Sequence, residues 1–287
     1  MGRGIALSVT AGGEQVPDMT FVAKSSDRVA DNDGQRAGSG DRRRIALFGE
    51  RADALLPVAA EFDRLTVVSC APDVVVCYGG DGTLLAAELQ WPGIPKAPIL
   101  NSRRGHRCIP KSPHEVLAAL ASDRLVHNAY TKLECAVYPA DHPSEADCVL
   151  TCLNEMNVHM GRINSAVRFK LWINDLPFEN GVEIVSDGFV ACTAFGSTAY
   201  FKAITKGCFT QGIGLAFKAT TYPVNHVVLP EEARVRCEIT RGPAVLAFDN
   251  STEYLELDRG DVLVLARHAQ SADILTCEPV VRLDEPF

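Results

Sequence analysis

The sequence predicts an α/β fold followed by a β-rich one: an open, Rossmann-like domain leading into an antiparallel, sandwich-like domain. Three observations carry this expectation. Residues 73–78 (Asp-Val-Val-Val-Cys-Tyr) are a β-branched run without polar alternation, the pattern of a parallel strand covered on both faces. A cluster of glycines follows at once and opens a helical stretch. From about residue 130 the pattern changes to apolar-polar alternation in short segments, which suits antiparallel sheets packed face to face.

Taken in order, residues 43–49 read as a buried strand. Residues 51–62 read as a helix, with Ala54, Leu55, Val58 and Phe62 at helical spacing. Residues 65–69 give a short strand, 73–78 the buried one, 83–89 a helix, 98–100 a strand and 114–121 a helix. That alternation is the rhythm of an open α/β sheet. Beyond it, residues 131–138, 167–173 and 233–240 alternate as half-buried strands, and Asn174-Asp175 marks a turn between two of them. No internal repeat of fixed period is visible. These patterns divide the chain into 42–128, the α/β domain, and 129–280, the β-rich domain. Residues 1–41, glycine-rich and polar, read as a disordered extension with one loose strand at 4–9, and 281–287 as a tail.

Composition narrows the function classes. The 287 residues are 47% hydrophobic and 22% charged, as in a soluble globular protein. A net charge of -8 disfavours nucleic acid and anionic membranes as partners, because long polyanions need a basic face. No apolar run approaches the roughly 18 residues of a bilayer span. The ten cysteines contain no C-x-x-C pair, and Cys148, Cys152 and His159 do not match a zinc spacing. With no secretory apolar core in the first residues, the cysteines read as reduced thiols of a cytoplasmic protein.

The sharpest local signal is Gly79-Gly80-Asp81-Gly82-Thr83. Glycines after a buried strand let backbone amides approach phosphate oxygens at a helix N-terminus. An acid inside such a loop can hold Mg²⁺ or take a proton from an attacking hydroxyl; the plain alternative is a tight turn with Asp81 as N-cap. Asn154-Glu155 can read a nucleoside, the amide through both donor and acceptor and the carboxylate through hydroxyls, or can simply end a strand. Gly196-Ser197-Thr198-Ala199-Tyr200 offers small residues and hydroxyls beside which a flat base can lie, or an ordinary turn.

These segments, together with Asp187-Gly188 ahead of the last one, resemble the motifs of the NAD kinase family in order and spacing. That family belongs to the superfamily of diacylglycerol kinases and 6-phosphofructokinases, and the resemblance spans residues 43 to 278. It implies that Asp81 is the general base toward the 2′-hydroxyl of the adenosine ribose of NAD. It implies that Gly79, Gly80, Gly82 and Thr83 cradle nucleotide phosphates. Asn154 and Thr198 would contact adenine, Glu155 the ribose, and Asp187, Ala199 and Tyr200 the remainder of the dinucleotide. ATP with Mg²⁺ or another divalent cation would supply the phosphoryl group, no metal being held by protein ligands alone, and the assembly would be a homodimer or tetramer. A kinase of another nucleoside or lipid hydroxyl, and an NAD-binding module without turnover, are the alternatives.

The chain departs from the family pattern in several places. The apolar, glycine-rich loop expected after the next strand reads Asn101-Ser102-Arg103-Arg104-Gly105-His106-Arg107-Cys108. The usual Pro-x before Gly196 is Ala194-Phe195, the Gly-Gly-Pro is Lys206-Gly207-Cys208, the Pro-His is Phe217-Lys218, and the late Asp-Gly is Asp249-Asn250. The family's C-terminal helix with a basic, apolar face is not apparent. Arg103, Arg104 and Arg107 either contact phosphate in place of apolar contacts to the nucleotide or form an exposed basic loop facing water. His159 is expected to be packed or solvated, and Phe195 and Trp172 to fill the core.

Overall fold

The structure is a computed structural model that describes residues 42–277 except Arg104. The expected extension at 1–41 with its strand at 4–9, and the tail at 281–287, lie outside the described residues. The first part of the chain forms β1 (Arg43–Phe48), α1 (Leu56–Ala59), β2 (Leu65–Val67), β3 (Val74–Gly79), α2 (Asp81–Gln90), β4 (Lys96–Leu100), α3 (Pro113–Ala121) and β5 (Val126–Tyr130). There follow β6 (Leu133–Tyr138), β7 (Cys148–Cys152), β8 (Glu155–Met160), β9 (Val167–Ile173), β10 (Leu176–Pro177), β11 (Ile184–Ser186) and β12 (Gly188–Thr193). The remainder is α4 (Tyr200–Thr205), β13 (Ile213–Lys218), β14 (His226–Leu229), β15 (Val235–Arg241), β16 (Ala244–Phe248), β17 (Tyr254–Leu257), β18 (Val262–Arg267) and β19 (Ala272–Thr276). No helix among the described residues is long and apolar enough to cross a membrane.

The first sheet has the order β2-β1-β3-β4-β19-β5. Strand β3 lies at its centre, parallel to β1 and β4, and Val74, Val75, Val76 and Cys77 are buried. The unbroken β-branched run is thus explained by cover on both faces. On one face Val74 and Val76 pack with residues of α1 and α3, while Val75 and Cys77 meet α2 on the other. Ser112 and Glu115 form a reciprocal capping box at the start of α3.

The helix expected over residues 51–62 is shorter and divided. A 3₁₀ turn at Ala52–Leu55 runs into the four-residue α1, with Pro57 in its first turn. Proline suits that first turn but cannot donate inside a continuous 51–62 helix, so its position breaks the expected one.

Two antiparallel sheets form the rest. One runs β10-β9-β15-β18-β6-β7, with β11 beside β9; the other runs β14-β13-β12-β8-β16-β17. Their inner faces share one core in which Phe169 packs against Phe189 and Phe217 at ring separations of 5.0 and 6.2 Å. The expected turn at Asn174-Asp175 joins β9 to β10, with both residues at positive φ, 49° and 64°. Asparagine and aspartate adopt that conformation more readily than most side chains.

The cut near residue 128 is corrected by the topology. It falls inside β5, and the region up to 280 is not one β-rich unit. After β18 the chain returns to the first sheet, where β19 inserts between β4 and β5, parallel to the former and antiparallel to the latter. Ala272, Ile274 and Leu275 are buried there, so the apolar pattern that looks like one more sandwich strand serves the α/β sheet.

Helix α2 is pinned from its inner side by charge. Glu88 is buried between Lys96 of β4 and Lys132, just before β6: it accepts from Nζ of both, at 2.7 Å from Lys132. Lys96 also donates to the Trp91 carbonyl at 2.6 Å. Burial pulls the Lys96 pKa down from its ordinary value, opposed by the Glu88 charge. Removing the shared anion leaves two buried ammonium groups without a carboxylate, Lys96 keeping only the Trp91 carbonyl. We therefore expect Glu88→Ala to lower unfolding stability by about 3–5 kcal/mol, measured by urea denaturation at neutral pH.

Candidate active site

The glycine-rich loop sits at the C-terminal end of β3, and Asp81 is the first residue of α2, not its N-cap; the cap position is Gly80. Gly79 has no room for a side chain, since a Cβ there would lie 2.1 Å from Thr83 Oγ1. Thr83 closes the turn by donating its amide to the Gly80 carbonyl at 3.0 Å. The amides at the start of α2, which helical bonding leaves free, lie beside the Asp81 carboxylate in sequence. That carboxylate is held by the loop after β4: Oδ2 accepts from the His106 amide at 3.0 Å and Oδ1 from the Arg107 amide at 2.9 Å.

The Asn154-Glu155 pair lies where β7 passes into β8. Asp249, at the end of β16, organises it. One carboxylate accepts three consecutive backbone amides: Leu153 at 2.8 Å, Asn154 at 2.7 Å and Glu155 at 3.2 Å. The Asp249 amide donates back to the Glu155 carbonyl at 3.0 Å. Asp249 itself is left-handed, with φ of 44°, a region that aspartate tolerates. Its neighbour Asn250 reaches the other way and donates Nδ2 to the Gly82 carbonyl at 2.8 Å.

The third motif docks on the second. Thr193 donates its amide to the Asn154 carbonyl at 3.0 Å and its hydroxyl to the Leu153 carbonyl at 2.6 Å. Gly196 lies against Asn154 so closely that a Cβ would come within 2.3 Å of the Asn154 carbonyl oxygen. Ser197 is fully buried and ties Ala194 to Phe209 through its hydroxyl, so its role is to shape the turn. Thr198, Ala199 and Tyr200 remain exposed at the start of α4. Asp187, between β11 and β12, accepts through its carbonyl from His159 Nδ1 at 2.8 Å. Lys218, across the sheet, donates to Asn157 Oδ1 at 2.6 Å and lies 5.7 Å from the Tyr200 ring centre. Burial pushes the Lys218 pKa down to about 8, opposed by Asp187.

The arginine loop differs from expectation. Arg103 is exposed and Arg104 lies outside the described residues. Arg107 does not project a free guanidinium toward phosphate: it donates to the Phe195 carbonyl at 2.6 Å and stacks 4.2 Å above the Phe195 ring. A carbonyl acceptor and an aromatic face satisfy the cation within the protein. Phe195 is core, as expected, with Tyr130 edge-on at 4.8 Å. Trp172 is not; it is half-buried and carries the Arg236 guanidinium 3.7 Å from its ring. Beside Arg107, Phe195 and Thr198 a cleft of about 890 Å³ opens along β5. It adjoins the Asp81 loop through Arg107 without being lined by Asp81.

Sequence pattern names Asp81, Asn154 and Glu155 but misses the groups that unite them. Asp249 and Asn250 stand out only as a departure from a family pattern. Asn157 is visible in hindsight, two residues after Glu155 on the same face of β8. Among the described residues, no three His, Cys, Asp or Glu side chains converge as a metal site.

A glycine-rich loop on a parallel sheet, bridged through Asn250 and Asp249 to a polar turn on an antiparallel one, places the chain among α/β-plus-β proteins whose polar groups gather where the two sheets meet. Comparison with known proteins sharpens this class. The chain is 30% identical over 239 residues to the NAD kinase of Cupriavidus pinatubonensis, covering 79% of this chain and 75% of the relative. It is 29% identical over 199 residues to that of Levilactobacillus brevis, covering 64% and 71%. No family model matches the chain. Among solved structures, a yeast NADH kinase complexed with NADH matches with a TM-score of 0.74 at 14% identity, covering 85% of this chain and 86% of that one. An NAD kinase from Archaeoglobus fulgidus in complex with ATP matches at 0.62 and 16%, covering 80% and 91%. The chain belongs to the NAD kinase family.

The carboxyl groups of Glu155 and Asp249 make the site sensitive to pH. Glu155 Oε2 is buried without a hydrogen-bond partner. Burial, and then the Asp249 charge, push its pKa from 4.5 up to about 8. Burial pushes Asp249 from 3.8 up to about 6 despite its three amides. Both folded-state values lie above the unfolded ones, so the folded state holds more protons. The resulting stabilisation is full below the unfolded values and is lost as pH rises through the folded ones. Glu155→Gln removes the Glu155 part of this loss. Relative to wild type, its melting temperature should therefore improve between about pH 5 and about pH 9 in the absence of nucleotide, by thermal scans.

Proposed function

We propose that the chain transfers the terminal phosphoryl group of ATP to the 2′-hydroxyl of the adenosine ribose of NAD, giving NADP. The observation that carries this is the dipeptide Asp249-Asn250, whose side chains bond the Asn154-Glu155 turn on one side and Gly82 of the Asp81 loop on the other. A group that recognises a nucleoside is thereby tied to one that can activate a hydroxyl beside phosphate. In this reading Asn154 and Thr198 meet the adenine. Glu155, with its unpartnered buried oxygen, binds a ribose hydroxyl that replaces the missing partner. Asp187, Ala199 and Tyr200 line the rest of the dinucleotide.

Asp81 accepts the proton of the 2′-hydroxyl as the oxygen attacks the γ-phosphorus. The bond from that phosphorus to the bridging oxygen breaks, and ADP leaves with the electron pair. The two amides on the carboxylate fix its direction, so that an unshared lone pair faces the acceptor. Gly79, Gly80, Gly82 and Thr83 shape the turn that receives the donor phosphates at the start of α2. Asp81 is the residue that would help to hold a divalent cation, which when bound would supply charge neutralisation for the phosphates. Catalysis is then chiefly positioning of two nucleotides across the two parts of the fold.

Incubating the purified chain with Mg-ATP and either NAD or NADH should yield NADP or NADPH; product from neither would end this reading. Asp81→Asn should lower kcat by about 10²–10⁴-fold, while NAD binding measured by calorimetry persists. An NAD-binding module without turnover would instead bind NAD and give no product at any ATP concentration.

A further inference from the structure

A departure from the family pattern in one loop meets, far along the chain, a residue at a position that the pattern leaves open. The loop after β4 carries arginines where the family pattern is apolar, and Phe195 stands in the segment where that pattern has Pro-x. Arg107 stacks on the Phe195 ring at 4.2 Å and donates to its carbonyl at 2.6 Å. The same ring has a second neighbour: Phe195 is buried, with Tyr130 edge-on against it at 4.8 Å. Its backbone leads within one residue to Gly196, which rests on Asn154. The backbone of Arg107 faces the other way and donates to Asp81 Oδ1, beside His106 on Oδ2.

We propose that Arg107 is a positioning residue for Asp81: its side chain clamps the loop after β4 to Phe195, and the clamped loop fixes the Asp81 carboxylate through two backbone amides. The proposal rests on Asp81 being the base. The loop itself is tied at its ends by backbone bonds, Asn101 N to the Gly79 carbonyl and Ile109 N to the Pro98 carbonyl, both at 2.8 Å. Between those ties Asn101, Ser102, Arg103 and His106 are exposed. The half-buried Arg107 anchors this stretch to the part of the fold that carries the nucleoside turn. An arginine suits the task because its planar head can stack and donate at once; a lysine would keep the charge and lose the stack.

The expected result with the full chain, Mg-ATP and NAD is a loss of kcat without a matching change in KM. Arg107→Ala and Phe195→Leu should each lower kcat by about 10–100-fold. Both Michaelis constants should stay within about threefold, the double variant should fall no further than the worse single one, and Arg107→Lys should restore part of the loss. Amide hydrogen exchange should show the His106 and Arg107 amides losing protection in both single variants, with wild-type melting retained in Arg107→Ala. A raised ATP KM at unchanged kcat would make Arg107 a phosphate ligand and overturn the proposal, as would losses that multiply in the double variant. Unchanged exchange would overturn it as well. If the wild-type chain forms no NADP, the base role of Asp81 and this positioning role fall together; the exchange measurement still decides whether Arg107 holds the loop.

Discussion

One carboxylate accepting three successive amides is the constraint on which the site depends. Asp249 lies almost a hundred residues beyond Leu153, Asn154 and Glu155, yet it fixes all three backbone donors at the mouth of β8. Without it those three amides would lose their acceptor, and the Asn154-Glu155 turn the carboxylate that fixes its backbone. The cost is electrostatic: Asp249 and Glu155 bring two carboxyl groups together in a partly desolvated place, and both resist ionisation. Backbone donors offset that cost at Asp249, whereas Glu155 Oε2 has no hydrogen-bond partner.

The second constraint lies deeper. Helix α2 must present Asp81 at one end and stay fixed relative to a sandwich that starts more than forty residues later. Glu88 does this from the inside, with Lys96 from its own sheet and Lys132 from the entry to β6. The return of β19 into the first sheet adds a second covalent crossing. The two parts of the fold are thus joined twice by the chain and again by buried charge. That arrangement fits a reaction in which two nucleotides must meet across the join, because buried ion pairs define geometry more surely than they add stability.

Local order was legible in the sequence where one short segment decides its own structure. The Val-Val-Val-Cys run needs no neighbour to be recognised as a doubly covered strand. Asn174-Asp175 announces a turn through its backbone preference, and the steric closeness of Gly79 to Thr83 is written within five residues. The Asn-Glu pair was legible as chemistry and not as geometry. What could not be read is non-local. Glu88 in a short helix looks solvent-facing, because acids usually are; only the fold brings two lysines to it. The strand at 272–276 has the same alternation whether it joins the sandwich or leaves it. Arg107 in a run of basic residues reads as a phosphate ligand, since nothing in that run reveals an aromatic ring 88 residues away.

The departures from the family pattern are better understood in pairs than singly. Arg107 meets Phe195, and Lys218 meets Asn157 across the sheet. Asn250, where the family pattern has glycine, reaches Gly82. In each case a side chain that lacks a rationale in its own segment is satisfied by another segment. A loop carrying Arg107 without Phe195 would place a cation beside Asp81 with nothing to hold it away. Phe195 supplies both a carbonyl and a ring to that one guanidinium, so the polar loop is anchored beside the Gly196 turn.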